Sequence, residues 1–409
     1  MTKPGNKFFD FIGRHIIPII IVATVVLGLI IRFAGFDVES ADYSDFLSLW
    51  WTKIKNEGLA HQIGNYNIPY QTIIYIFTKL PIQPLHAYKI ISIIFDGVLA
   101  ASAALLVKEL DPNHSKLRSA ATFSIVFCSI TVIFNSAFWA QCDSMYTSFI
   151  ILAIYFILKD RTILSFIMLG LSFAFKLQVI FIIPVFLFYY VSNRKFSLLH
   201  FFIIPAVDVL LCIPALLCGR NPLSIIKVYL TQMGYDKYIN CSSANLYFIL
   251  CNYADEHYRE VFAAFAILLT FVILFVGFYV IIYKKIDLSN PRLFLLTAIW
   301  TVYTCLMFLP SMHERYTYLL DILLIVYCII DLKRLWVPFA VYMVSFSLYN
   351  AYLFEFMSTK IIMLTFTIMY SYISYIFFRT MAENGVEPKN IPEPFKTKPV
   401  FSDSLGEKR

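Results

Sequence analysis

The sequence contains few charged residues for its length. Asp, Glu, Lys and Arg make up 14% of its 409 residues, whereas soluble domains carry about 25%. Apolar runs recur from Ile16 to Phe378, each about twenty residues long and so close to the length that crosses a bilayer core. The composition excludes an ordinary soluble protein and predicts an all-α polytopic membrane protein.

Several motifs of soluble chemistry are also missing. The sequence has no Walker loop and no dinucleotide fingerprint, and no segment long and polar enough for a soluble nucleotide-binding domain. The eight cysteines include no C-x-x-C pair, which argues against a zinc site. Cys241 and Cys251 share one long loop, and a disulfide between them stays open. The net charge of +7 reflects basic residues that flank membrane spans, so we expect no nucleic-acid partner.

Hydropathy divides the chain into segments that predict twelve transmembrane helices in a bundle. The first, Ile16–Ile31, follows a basic N-terminal stretch and lacks a small-residue cleavage site, so we expect a retained span. The other predicted spans are 88–107, 119–137, 144–158, 162–175, 178–191, 197–218, 261–283, 293–310, 317–330, 335–350 and 360–378. Short cytoplasmic loops are enriched in basic residues, and placing both termini in the cytoplasm puts most of the 33 lysines and arginines there.

Two outer loops are long enough to suggest function. Residues 33–88 contain two amphipathic segments that predict interfacial helices, with Trp50 and Trp51 at headgroup depth, and residues 219–260 form the second loop. We expect residues 1–378 to form a single membrane domain, and the Pro-rich residues 379–409 to form a disordered cytoplasmic tail.

Polar residues from distant segments fall on the same, outer side of this topology. Each has an ordinary explanation: Asp42 and Asp143 are suitable helix caps, Lys176 is suited to reach the headgroups from a helix end, and His313 and Glu314 are compatible with a solvated loop. Together they indicate a site. Cations at membrane depth suit a phosphate, and a nearby carboxylate suits a general base, so the pattern favours a polyprenyl-phosphate-linked donor.

The motifs FWAQCDSMY and FAFKLQVIF, together with ESADYSDFLSLWW, GNYNIPY and MHERY, resemble in type and order those of GT-C superfamily glycosyltransferases. They are most similar to a bacterial branch related to the second mannosyltransferase of GPI-anchor synthesis. The resemblance implies a membrane enzyme that moves a hexose, with inversion, from a polyprenyl phosphate to a glycopolymer or glycolipid acceptor on the extracytoplasmic face. For a bacterial source, it implies undecaprenyl phosphate as the carrier.

The resemblance also assigns roles to residues. Asp42 matches the catalytic base, and Arg315, His313, Lys176 and Gln178 would bind the donor phosphate. The residues assigned to the sugar or the acceptor are Glu39, Tyr43, Asn65, Tyr66, Asn67, Gln141, Asp143, Tyr146, Asn245 and Glu314. The first loop has no D-x-D pair, so we expect no metal or other cofactor, although carboxylates three residues apart leave a metal open.

Two other functions are compatible with the same pattern. A transporter or flippase of a lipid-linked saccharide would also place cations near a phosphate, and it would need polar groups across the bilayer, for which Asp96 and Asp208 are the available acids. A polymerase or ligase of lipid-linked oligosaccharides would differ mainly in using a diphosphate donor.

Overall fold

The computed structural model describes residues 4–385 except 112, 114, 234–237, 251–255 and 356–359. The described chain is a helical bundle with one pair of two-residue strands, β1 (Asn240–Cys241) and β2 (Met312–His313). Its first eight helices are α1 Pro4–Ala34, α2 Ser48–Glu57, α3 Ile68–Phe77, α4 Pro84–Leu110, α5 Ser115–Phe127, α6 Ile130–Ile133, α7 Asp143–Leu158 and α8 Thr162–Phe175. The others are α9 Ile183–Asn193, α10 Ile203–Leu217, α11 Ser224–Met233, α12 Glu256–Tyr283, α13 Pro291–Phe308, α14 Tyr318–Ile330, α15 Trp336–Phe354 and α16 Lys360–Asn384.

The prediction of an all-α polytopic membrane protein is confirmed. Among the described residues, seven helices are long and apolar enough to cross a membrane, and the bent pair Lys116–Phe127 and Ile130–Phe138 would make an eighth. The other four predicted spans are helical but shorter, at Asp143–Leu158, Thr162–Phe175, Leu177–Asn193 and Tyr318–Ile330. All twelve segments are therefore helices, whereas the count of twelve crossings is not confirmed.

The helices pack around a buried polar contact. Helix α7 packs against α4 and α8, and α1 packs against α5. Between them Arg32 Nη2 lies 2.8 Å from Asp96 Oδ2, and both side chains are buried. Ser136 donates a 2.6 Å hydrogen bond to the same oxygen. Because an unpaired charge is costly inside a membrane, this pairing explains how Asp96 is accommodated within a span.

The described parts of the two long loops contain short elements. The first contains a π-helical turn, Tyr43–Leu47, followed by α2 and α3, so helices lie in both predicted segments, whereas their place at the membrane interface stays a prediction. In the second, β1 pairs in parallel with β2, with Asn240 opposite Met312 and Cys241 opposite His313. Cys251 lies outside the described residues, so its pairing with Cys241 stays a prediction.

The C-terminal end differs from the prediction in its first residues. Helix α16 continues to Asn384, so residues 379–384, assigned to a disordered tail, are helical. They extend the last span by more than a turn, and Arg379 pairs with Glu383 one turn later at 2.7 Å. Residues 386–409 lie outside the described part of the chain.

Candidate active site

A cavity of about 1240 Å³ opens where the first loop meets the helix ends on the same side of the bundle. All five residues predicted to act on the donor or as the base line it, namely Asp42, Lys176, Gln178, His313 and Arg315. They come from three segments that are far apart in sequence, the first loop, the turn between α8 and α9, and the segment between α13 and α14. A concave site that combines such groups with apolar walls is the usual form of a ligand pocket.

Asp42 is the most extensively hydrogen-bonded carboxylate in the cavity. Its Oδ2 accepts hydrogen bonds from Trp139 Nε1 at 2.9 Å and from Gln141 Nε2 at 2.6 Å. Its Oδ1 accepts from the Tyr352 hydroxyl at 2.7 Å. Arg315 Nη1 lies 3.6 Å from Oδ2. These contacts hold the carboxylate in one orientation, since hydrogen bonds to a charged group are stronger than neutral ones.

The backbone before α7 is shaped to aim two side chains at Asp42. A π-helical turn, Phe134–Phe138, ends at Trp139, and Ala140 follows with φ of 63°. A left-handed conformation is strained for alanine, and here it reverses the chain between Trp139 and Gln141. π-Helical turns often mark functional sites, and this one brings both donors to the same oxygen of Asp42.

The segment that carries Asp42 is fixed from both sides. Lys89 Nζ is buried and donates to the carbonyls of Gly35, Phe36 and Val38 at 2.8, 3.0 and 2.6 Å. These bonds satisfy carbonyl groups beyond the end of α1, and the Gly35 carbonyl also accepts the Val38 N–H at 3.1 Å. Ser40 Oγ donates to the Trp139 carbonyl at 2.9 Å. The first loop is therefore anchored to α4 and to the segment that orients Asp42.

Arg315 lies among three carboxylates. Its Nη1 is 3.3 Å from Glu314 Oε1 and 3.6 Å from Asp42 Oδ2, and its Nε is 4.0 Å from Asp143 Oδ2. Burial lowers the pKa of the guanidinium, but these carboxylates outweigh burial and raise its pKa well above the usual range. Arg315 is therefore a permanent cation, and its Nε has no hydrogen-bond partner among the described residues.

A second cation lies behind Arg315 in a buried pair. Lys176 Nζ is in hydrogen-bond contact with Asp143 Oδ1, and the other oxygen of Asp143 accepts from Asn135 Nδ2 at 2.7 Å. Asn135 Oδ1 in turn accepts the backbone N–H of Asp143 at 3.2 Å. Asn135 thus accepts the first N–H of α7 and donates to the Asp143 carboxylate, and the ion pair with Asp143 holds Lys176 at the cavity edge.

The second loop holds the segment that precedes Arg315. The backbone N–H of Ser311 donates to the Ile239 carbonyl at 2.8 Å, and the Ser311 hydroxyl donates to the Tyr238 carbonyl at 2.8 Å. Ser311 has φ of 57°, which turns the chain into β2. Together with the β1–β2 pairing, these bonds place His313 in the cavity wall, with its Nδ1 3.9 Å from Glu314 Oε2.

Four of the ten residues predicted for the sugar or the acceptor line the cavity: Asn65, Tyr66, Gln141 and Glu314. The Glu314 side chain is buried, and its Oε1 lies 3.3 Å from Arg315 Nη1. Gln178 also lies in the wall, with a buried Oε1 that has no hydrogen-bond partner in the described part of the chain. These amides and carboxylates are positioned for contact with a polar ligand.

The other six residues lie outside the cavity lining. Glu39 is exposed, Tyr43 is buried in a cluster around Trp51, and Tyr146 is buried within α7. Asn67 instead donates to the Phe173 carbonyl at 3.0 Å. Asp143 is bonded to the side chains of Lys176 and Asn135, and Asn245 Oδ1 accepts the Tyr247 N–H at 3.0 Å. Contact of these six residues with a ligand stays a prediction.

Several residues of the site carried no assigned role in the sequence analysis. Tyr352 belongs to α15 and is 310 positions from its partner Asp42, so no local motif marks it. Its ring stacks on Trp139 with centroids 3.9 Å apart. Trp139 lies in the motif FWAQCDSMY, so its place in that motif is the signal that could have identified it. Trp50 was predicted to lie at headgroup depth, but it lines the cavity.

A metal site is not evident in the described residues. They contain no group of three or more His, Cys, Asp or Glu side chains arranged to share a metal ion. The carboxylates around Arg315 face a guanidinium instead, and their charges are offset by it and by Lys176. The charged groups are therefore arranged around fixed cations of the chain itself.

Comparison with known proteins assigns the family. Residues 65–311 match the sequence profile of Glycosyltransferase family 87, while no curated protein matches the chain. The match includes Gln141, Lys176 and Gln178, whereas Asp42 and Arg315 lie outside its bounds. It spans more than half of the chain, and the helices around the cavity are those of a multi-pass membrane protein. The chain therefore belongs to Glycosyltransferase family 87 and is a membrane glycosyltransferase.

Proposed function

We propose that the protein transfers a hexose from a polyprenyl-phosphate carrier to a cell-surface glycopolymer or glycolipid, on the extracytoplasmic face and with inversion of the anomeric carbon. The observation that carries this proposal is the placement of Asp42 and Arg315 in one cavity, 3.6 Å apart. A carboxylate for the acceptor hydroxyl and a cation for the leaving phosphate are the two groups that a single displacement requires.

The apolar walls of the cavity support a lipid-linked donor. Ile180 and Ile267 line the cavity and are 42% and 41% exposed. Ile267 belongs to the candidate membrane span Arg259–Tyr283. The cavity thus has an apolar edge where α12 would face lipid, which suits the entry of an isoprenoid chain from the bilayer. A soluble nucleotide sugar would gain nothing from this edge.

In the proposed reaction Asp42 accepts the proton of the acceptor hydroxyl. The hydroxyl oxygen forms a bond to the anomeric carbon on the face opposite the phosphate. The bond between that carbon and the phosphate oxygen breaks, and its electron pair leaves with the phosphate. Arg315 binds the phosphate oxygens, and His313, Lys176 and Gln178 complete the phosphate site. Positioned proton transfer contributes about 10²–10⁴-fold to such a rate.

The carboxylate side chains around Arg315 make the phosphate site selective for a donor of low negative charge. Asp42, Asp143 and Glu314 carry three negative charges beside the two cations Arg315 and Lys176. A phosphodiester with one charge adds less repulsion here than a diphosphate with two, because like charges at short range repel strongly in a buried site. The charge balance therefore favours a monophosphate carrier over the diphosphate donor of an oligosaccharide polymerase.

The flippase alternative has less support. It requires polar groups that continue through the bilayer, and Asp96 is instead closed off by its ion pair with Arg32 and its bond from Ser136. Membership of a glycosyltransferase family also favours transfer over transport.

The test compares donors with the purified protein in lipid nanodiscs. Synthetic polyprenyl-phospho-hexoses, polyprenyl-diphospho-hexoses and nucleotide sugars are offered in turn, and sugar release and transfer are followed by mass spectrometry. We expect turnover of a monophosphate donor, including slow hydrolysis when no acceptor is present. Turnover of nucleotide sugars alone, or lipid-donor translocation without sugar release in proteoliposomes, would contradict the proposal.

A further inference from the structure

A continuous row of side chains leads along the cavity wall from Asp42 to Trp50. Gln141 donates to Asp42 at 2.6 Å, and the Tyr66 hydroxyl donates to Gln141 Oε1 at 3.4 Å. The Tyr66 ring meets the Trp50 ring edge to face, with centroids 5.2 Å apart. All four side chains line the cavity. The row joins the carboxylate assigned as the base to an aromatic surface within the same space.

The Trp50 ring is held in place by a glycine. Gly64 has φ of 63°, and a Cβ atom there would lie 2.3 Å from Trp50 Cε2. Only a residue without a side chain allows the indole to pack this closely on the loop backbone. The Phe46 ring also packs on the indole, tilted by 41° with centroids 5.9 Å apart. The indole therefore has a defined position before any ligand binds.

Hydrogen bonds from the buried Arg220 anchor the loop that contacts Trp50. Arg220 is buried and donates to the Leu59 carbonyl at 2.7 Å and to Gln62 Oε1 at 3.1 Å. Gln62 Nε2 donates to the Gly64 carbonyl at 3.1 Å. This chain of bonds connects the second outer loop to Gly64. A rigid aromatic surface costs less entropy on binding than one that must be ordered first.

The polar atoms beside the ring are free to meet a ligand. The Trp50 indole N–H and the Asn65 side-chain amide form no hydrogen bond with the part of the chain that the structure describes, and both residues line the cavity. Such donors and acceptors at an aromatic surface match one kind of molecule. A sugar ring presents C–H groups on its faces and hydroxyl groups around its edge.

We propose that Trp50, Tyr66, Asn65 and Gln141 form the acceptor subsite, and that the acceptor group bound there is a saccharide ring stacked on Trp50. One of its hydroxyls then reaches Asp42, which accepts the proton as the oxygen attacks the anomeric carbon of the donor and the phosphate leaves. The apolar edge at Ile180 and Ile267 remains for the lipid chain. This inference rests on the proposed function, since it assigns the second substrate of the same reaction.

The subsite predicts a separation between two reactions of the same enzyme. Hydrolysis of the donor uses water as the acceptor and does not need Trp50. Transfer to a saccharide does. Trp50→Ala should raise the KM for a saccharide acceptor by about 10–30-fold, the usual size of a lost tryptophan contact, and lower transfer to the saccharide far more than it lowers donor hydrolysis.

The experiment uses the full-length protein in nanodiscs with a polyprenyl-phospho-hexose donor. Three acceptor classes are compared: methyl glycosides of hexose disaccharides, a serine-containing peptide, and dodecanol. We expect transfer to the disaccharide glycosides in preference to the other two. Preferential transfer to the peptide or to dodecanol would overturn the assignment. Donor hydrolysis without transfer to any of the disaccharide glycosides would also overturn it.

Three further variants keep the test specific. Trp50→Phe retains an aromatic face and should recover part of the lost affinity. Gly64→Ala displaces the indole and should raise the acceptor KM as Trp50→Ala does. Trp51→Phe is the matched control, because Trp51 is buried against Tyr88 on another side of the same helix and is absent from the cavity lining.

The outcomes separate the subsite from the proposed function. An unchanged acceptor KM in both Trp50→Ala and Gly64→Ala, with wild-type donor hydrolysis, overturns the subsite alone. An equal loss of hydrolysis and transfer in Trp50→Ala also overturns it, since Trp50 would then act on the donor. A wild-type protein that turns over no lipid-linked donor overturns the proposed function, and the acceptor subsite with it.

Discussion

Tyr352 provides the sharpest test of how the site is built. Its hydroxyl donates a 2.7 Å hydrogen bond to Asp42 Oδ1, the oxygen that does not face Arg315 in the structure. Its ring stacks on Trp139 at a centroid distance of 3.9 Å and an interplanar angle of 15°. The change Tyr352→Phe removes the hydroxyl and keeps the stacked ring, so it isolates the hydrogen bond from the packing.

The expected effect follows from the charge of the acceptor oxygen. A hydrogen bond to a charged group contributes about 1.5–3 kcal/mol, and each 1.36 kcal/mol corresponds to a factor of about ten in rate. If the bond orients Asp42 in the transition state, Tyr352→Phe should lower kcat/KM by about 10–100-fold. The loss should fall on kcat more than on the KM for the donor, because the phosphate site does not include Tyr352.

The assay is steady-state sugar transfer by purified protein, with donor binding measured separately by calorimetry. Tyr349→Phe is the matched control: this tyrosine lies on the same helix and is buried edge-on to Trp139 with centroids 5.3 Å apart, but its hydroxyl accepts from Asn135 at 3.0 Å. Unchanged kcat in Tyr352→Phe, or an equal loss in both variants, would refute the reasoning that Tyr352 orients the base.

The remaining predictions concern the cations and the metal. Arg315→Lys keeps the charge but loses the planar fork, so kcat should fall about 10²–10³-fold, as for other lost donors to a developing oxyanion; a wild-type rate would remove Arg315 from the phosphate site. Lys176→Met leaves Asp143 buried without its amine partner and should destabilise the protein by about 3–5 kcal/mol, seen as a lower Tm. Combining it with Asp143→Asn should recover most of that loss, and a double variant as unstable as the single one would show that the pair is not the cause. Treatment with EDTA should leave the transfer rate unchanged, because the cations of the chain fill the role of a metal; a loss restored by Mg²⁺ or Mn²⁺ would contradict this.

Local sequence signals were most successful for two features, the helical segments and the charged residues that line the cavity. The apolar runs gave all twelve helical segments, because a membrane span needs a long hydrophobic stretch regardless of its partners. They did not predict the number of crossings, since α7, α8, α9 and α14 are shorter than a span. The packing of these four helices against their neighbours is not encoded in local hydropathy. Asp42 and Arg315 were placed on the same side from topology alone, and the structure brings them within 4 Å.

Residues whose role depends on tertiary packing were harder to predict. Tyr352 lies in an apolar helix with no motif around it, and it meets Asp42 only because α15 packs beside the π-helical turn before Trp139. Trp50 follows the pattern of an interfacial tryptophan, and the close approach of Gly64 is what aims it into the cavity. Asn67 is similar in type to Asn65, yet its amide is bonded to the Phe173 carbonyl, a contact between segments 106 residues apart.

The measurement that tests the central claim most directly is sugar transfer from a polyprenyl-phospho-hexose by wild type and by Asp42→Asn, with donor binding measured in both. Asparagine is isosteric and keeps an acceptor oxygen, but it cannot take up the acceptor proton. The proposed mechanism predicts that Asp42→Asn binds the donor with an affinity near that of wild type and transfers the sugar about 10²–10⁴-fold more slowly. Equal transfer rates in the two proteins would contradict the assignment of Asp42 as the base.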